Sequence, residues 1–98
     1  MDNPIIKEIT PQTDIVLAEV RGERERQEAK WGQQNRRPHI YSIILNEEVG
    51  EVNKAICEWY FGDADATLQN LKDIRSELIQ VAAVAVAMVE SMDRNEFN

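Results

Sequence analysis

Ninety-eight residues leave room for one domain and one core, and a 43% share of apolar residues is enough to fold it. Eighteen acidic residues against eleven basic give a net charge of −7 and a pI near 4.6, which excludes a general affinity for nucleic-acid backbone or an anionic membrane, since both demand a cationic surface. The single Cys57 excludes an intramolecular disulfide and any cysteine-built zinc site. Asp2, Lys7 and Glu8 leave no signal-peptide pattern at the N-terminus, and the longest uncharged apolar run, Val81 to Val89, falls well short of the roughly 20 residues that cross a bilayer. The expectation is a soluble, cytoplasmic protein.

Four glycines and three prolines divide the chain into three long segments of helical period with almost no β-type alternation, so the fold class expected is all-α. Residues 1–10, with Pro4 and no clear period, read as an N-terminal arm; 11–93 read as the helical domain and 94–98 as a tail. Thr10 before Pro11 is a helix start, with the threonine hydroxyl as cap and proline in the first turn; Thr13 before Asp14 competes for that role. The first helix is predicted from about residue 12 to Lys30, with Gly22 as an interior weak point. One of its faces, Leu17, Val20, Arg24, Gln27 and Trp31, begins apolar and ends polar. Residues 32–38 form the only clear loop and carry Arg36 and Arg37.

The second helix is expected to start near Ile40 to Ser42 and to end near Phe61, with Gly62 as a left-handed cap. Leu45, Val49, Val52, Ile56 and Trp59 make its apolar stripe, and Glu47, Glu48, Glu51 and Glu58 lie on the adjoining face. Asp63 or Asp65 then caps a third helix that runs to about Asp93. Its second half, from Val81 to Val89, is apolar all round, and two other helices can hardly surround it; packing against another subunit is the expectation.

Glu47, Glu48 and Glu51 form Glu-Glu-x-x-Glu, three carboxylates within one helical turn. Like charges at that spacing repel by about a few tenths of a kcal/mol per pair, and by more beside an apolar stripe, where the dielectric is lower. A hard divalent cation would remove the conflict. Glu77 and Gln80, also three apart, offer a complement on the third helix, flanked by Val81 and Val84. In an antiparallel hairpin turning at Gly62, Glu51 and Glu77 lie at comparable heights, offset by about one 5.4 Å turn. Two such oxygen-bearing pairs from facing helices can build an all-oxygen site suited to Mg²⁺ or Mn²⁺. On its own, Glu-Glu-x-x-Glu is more often a solvated helix face.

With these residues the sequence resembles the MazG-like, all-α nucleoside triphosphate pyrophosphohydrolases. The resemblance spans about residues 15 to 92. It is carried by Ile-Leu-Asn-Glu-Glu-Val-Gly-Glu-Val (44–52), Glu-Leu-Ile-Gln-Val-Ala-Ala-Val-Ala (77–85) and Glu-Arg-Glu-Arg-Gln-Glu-Ala-Lys-Trp-Gly (23–32). It implies hydrolysis of a nucleotide between the α and β phosphates, giving a monophosphate and pyrophosphate, with Mg²⁺ held by glutamates. By position, Glu48, Glu51 and Glu77 correspond to metal ligands, and Glu47 to a second-metal ligand or the base that orients the attacking water. Gln80 departs from the pattern: it stands where the family usually has Asp, offering a carbonyl oxygen but no charge.

For the substrate, Trp31 is a candidate to stack on a base or, alternatively, to close the core at a helix end. Lys30, Arg24, Arg36 and Arg37 are candidates for phosphate, with Gln27 on the same helix face as Arg24; Arg26 is better read as an intrahelical partner of neighbouring glutamates. His39 reads as a loop residue and Tyr41 as a packing residue. The expected assembly is a hairpin plus one preceding helix in a homodimer or homotetramer, with the site near the subunit boundary. The competing reading is a non-catalytic helical assembly or regulatory module with a vestigial metal site.

Overall fold

The computed structural model describes residues 10–62 and 67–94, and it is all-helical. Three helices make it up: α1 (Pro11–Trp31), α2 (Pro38–Phe61) and α3 (Thr67–Arg94). The expected caps at Asp63 and Asp65, most of the N-terminal arm and most of the C-terminal tail lie outside the described residues. No described helix is long and apolar enough to cross a membrane.

At the start of α1, Thr10 Oγ1 accepts from the Thr13 amide at 3.3 Å while Pro11 sits in the first turn. The helix continues through Gly22 without a break and ends at Gly32, whose φ of 72° lies in the left-handed region open to glycine. α2 begins earlier than the sequence predicts, because Pro38 does not end the loop but opens the helix. Its fixed φ suits the first turn, where no amide is needed, and the Ile40 and Tyr41 amides both donate to the Arg37 carbonyl. Gly62 corrects a second expectation. It is extended, with φ −87°, not left-handed; glycine is required there because a Cβ would collide with the Glu58 carbonyl.

α3 is the central element and packs against both α2 and α1. The α2–α3 pair is an antiparallel hairpin in which Tyr41 packs with Val84 and Ala87, and Asn70 Nδ2 donates to the Glu58 carbonyl at 3.4 Å. This register sets Glu48 level with Gln80 and Glu51 level with Glu77, one turn closer than a hairpin turning at Gly62 predicts. The buried face of α2 also differs from the predicted stripe. Tyr41, Val52 and Ala55 are buried and Ile44 and Glu48 half-buried, at separations of 3 and 4, whereas Val49, Ile56 and Trp59 stay exposed. The helix is rotated so that α3 covers the border between the apolar and acidic faces, and Glu48 falls inside the contact.

The fold is correspondingly open. A radius of gyration of 16.3 Å exceeds the about 13 Å of a compact domain of 100 residues. Among the described residues, only Val20, Tyr41, Val52, Ala55, Ala83, Val84 and Ala87 are buried apolar residues. The apolar half of α3 is covered on one side alone: Ala83 is fully buried, yet Val86 and Val89 are exposed.

Candidate functional site

α1, α2 and α3 enclose a cavity of about 350 Å³. Its acidic end is formed by Glu48 from α2, Gln80 from α3 and Glu23 from α1; Tyr41, Ile44, Val84 and Ala87 make an apolar middle; Trp31, Gln34 and Arg36 stand at the loop end. Directly beyond the acidic end, Glu51 and Glu77 share a shallower hollow with Glu58, Asp73 and Lys54. The α2–α3 seam thus brings together Glu48, Glu51, Glu77 and Gln80. Glu47 is exposed and lines neither space, but its charge reaches Glu48.

Glu48 feels that cluster most. Burial raises its pKa above the usual carboxylate value, and the negative charges of Glu77, Glu51, Glu47 and Glu23 raise it further. A carboxylate with a raised pKa is a liability to the fold at neutral pH: ionised in both states, it carries its penalty in full above the folded-state pKa, and the penalty is relieved as pH falls through that value. Glu48→Gln is therefore expected to raise the melting temperature of the metal-free protein by a few degrees at pH 7, an advantage that vanishes in acid below the ordinary glutamate pKa. Thermal melts followed by circular dichroism at the two pH values check it, and equal effects at both would contradict the cause given.

Glu23 is a member of the cluster that sequence reasoning missed, having been treated only as an intrahelical partner. It does pair with Arg26, at 2.6 Å, but its side chain is only 14% exposed and reaches the cavity. The signal was its spacing, three residues after buried Val20 and four before Gln27, on the face of α1 that meets α3.

The predicted substrate contacts separate into two groups. Arg24 has its nitrogens committed: Nε to Glu90 at 2.8 Å, Nη1 to Gln27 at 2.8 Å and Nη2 to Glu28 at 2.6 Å. Burial works against its charge, but Glu90 and Glu28 outweigh that and raise its pKa. Arg24 and Gln27 are thereby a bonded wall of the cavity, joining α1 to α3. Trp31, in contrast, does not close the core. It is 57% exposed at the cavity mouth, with Lys30 Nζ 4.6 Å from its ring centroid. Tyr41 packs as expected, His39 is exposed, and Cys57 is a free, exposed thiol away from the cavity.

Oxygen donors of this kind fit a hard divalent cation. Among the described residues no three acidic, histidine or cysteine side chains converge as a ready-made metal shell. Mutual repulsion opposes such convergence in a cluster where carboxylates outnumber the one neighbouring cation, Lys54. Compared with known proteins, the chain matches no family model, no curated relative and no solved structure.

Proposed function

We propose that the chain is a Mg²⁺-dependent nucleotide pyrophosphohydrolase of the MazG-like, all-α kind, cleaving a nucleoside triphosphate between the α and β phosphates. The observation that carries this reading is the half-buried Glu48 carboxyl, facing Gln80 and flanked by Glu51 and Glu77, at one end of a cavity whose other end holds an aromatic ring and cations. A structural role alone gives no reason to half-bury, beside four other carboxylates, one that has no ion-pair partner among the described residues. Glu48, Glu51 and Glu77 would hold the cation, with the Gln80 carbonyl oxygen as a neutral supplement. Mn²⁺ is an acceptable substitute for the same oxygen set. Bound there, Mg²⁺ neutralises polyphosphate charge, polarises the phosphoryl oxygens and lowers the pKa of water. Glu47, at the exposed edge of the cluster, would serve as a second-metal ligand or as the base that orients the attacking water. The apolar middle of the cavity excludes water from the nucleoside portion, and Trp31 offers a face for a base.

The catalytic unit is proposed to be a homo-oligomer. On α3, Leu71, Leu78, Ala85, Val89 and Met92 are exposed and recur at separations of 7, 7, 4 and 3, a continuous stripe on the side away from α1. Exposed Val49 and Ile56, with half-buried Leu45, continue it on α2. Two hairpins meeting on this face form a four-helix bundle and cover the apolar half of α3.

Incubating the pure protein with a panel of ribo- and deoxyribonucleotides and Mg²⁺, and assaying monophosphate and pyrophosphate, tests the activity. Equimolar release of both products from at least one nucleotide, abolished by chelator, is expected; no product above background from any of them removes the hydrolase reading. The vestigial-site alternative draws on Gln80 and predicts that second result.

A further inference from the structure

The loop between α1 and α2 lines the cavity at the end opposite the carboxylates, and α3 fastens it. Fully buried Ser91 donates through Oγ to the Arg36 carbonyl at 2.9 Å, and Arg94 donates through Nε to Asn35 Oδ1 at 2.5 Å and through Nη2 to the Gln34 carbonyl at 3.1 Å. The Tyr41 hydroxyl adds a bond to the same Gln34 carbonyl at 3.2 Å. A loop held by this many bonds presents its side chains at fixed positions.

Arg36 is the side chain so presented. It is half-buried and lines the cavity, and Nε donates to Gln34 Oε1 at 3.2 Å. Among the described residues no carboxylate pairs with it, whereas Arg24, one wall away, is saturated by two. Its two terminal nitrogens remain as a fork of donors. From Pro38 at the loop to Glu48 at the acidic end, α2 rises about 15 Å. The wall between is apolar: Tyr41, Ile44, Val84 and Ala87. Phosphates laid along that wall would lose hydration without gaining partners, whereas a sugar and a base plane suit it. With the phosphates at the carboxylates, the group that reaches Arg36 is therefore the far edge of the base.

We infer that Arg36 is a specificity-determining residue that reads a purine carrying a 6-oxo group, through bidentate donation to O6 and N7. This rests on the proposed nucleotide site. Guanine and hypoxanthine present two acceptors on that edge, matching a side chain that can only donate; adenine presents N7 beside an amino group, which opposes a donor with a donor.

Calorimetric titration of the protein in saturating Mg²⁺ with dGMP, dIMP, dAMP and 7-deaza-dGMP reads this without needing turnover, because a monophosphate has no α–β bond to cleave. The wild type is expected to bind dGMP and dIMP roughly tenfold or more tighter than dAMP, and 7-deaza-dGMP, which lacks N7, more weakly than dGMP. Arg36→Ala should bring dGMP and dAMP to similar affinity, and Arg36→Lys, which keeps the charge but not the fork, should lose most of the preference too. Circular dichroism melts matching wild type confirm that the loop still folds in both variants. Equal wild-type affinity for dGMP and dAMP, an equal loss for both in Arg36→Ala, as a phosphate contact would give, or no monophosphate binding at all would each overturn the inference. Selective binding without nucleotide hydrolysis would retire the hydrolase reading and leave Arg36 as a purine reader.

Discussion

Replacing Glu77 by Gln is expected to reduce nucleotide turnover about 10³-fold while leaving helicity unchanged. The side chain keeps its volume and one carbonyl oxygen but loses the charge that makes the seam attractive to a divalent cation. Metal assistance contributes several kcal/mol to such reactions, and each 1.4 kcal/mol is about tenfold in rate. Glu51, level with Glu77 across the seam, should behave alike as Glu51→Gln. The stability effect runs the other way from the activity effect, because removing either charge relieves the repulsion on Glu48. Steady-state kinetics with Mg²⁺, paired with thermal melts, separate the two. Retained activity in either variant would take that residue off the ligand set.

The second large effect is expected on assembly. Leu78→Asp and Val89→Asp each put a carboxylate into the exposed apolar stripe of α3, where both side chains are at least half exposed in the single chain. In a bundle of two hairpins these positions are buried. Each change then forfeits about 2 kcal/mol of apolar transfer and a comparable penalty for an unpaired charge, which weakens association roughly 10³-fold. Light scattering coupled to gel filtration should show the wild type as a dimer or tetramer and the variants as monomers with reduced melting temperature. A wild type that is monomeric at micromolar concentration, or variants that assemble unchanged, would contradict the proposed face.

The helices were legible because their signals are local. Thr10 and Pro11 start α1, Gly32 stops it, and the apolar period of the third segment runs unbroken into Arg94. The α2–α3 seam was legible to within a turn, since a hairpin turning at Gly62 puts Glu51 and Glu77 at comparable heights; the last turn of register depends on how the helices pack. The rotation of α2 was not. Periodicity located an apolar stripe through Val49 and Ile56, but which part of a wide stripe meets α3 and which stays free depends on tertiary packing, and the packing chose Tyr41, Val52 and Ala55. For the same reason Glu48 lies deeper than its neighbour Glu47, although the two are adjacent in a run of acids. Spacing from Val20 and Gln27 puts Glu23 on the inner face of α1, but the commitment of Arg24 to Glu90 depends on how α1 crosses α3, which no spacing within α1 reveals. Arg36 needed the clamp from Ser91 and Arg94, more than fifty residues away along the chain.

Calorimetric titration of Mn²⁺ into the metal-free protein tests most directly whether the Glu48, Glu51 and Glu77 cluster is a cation site. A saturable signal with an integral number of ions per chain, greatly weakened in Glu77→Gln, is the predicted result; no stoichiometric binding, or binding indifferent to Glu77, would contradict it.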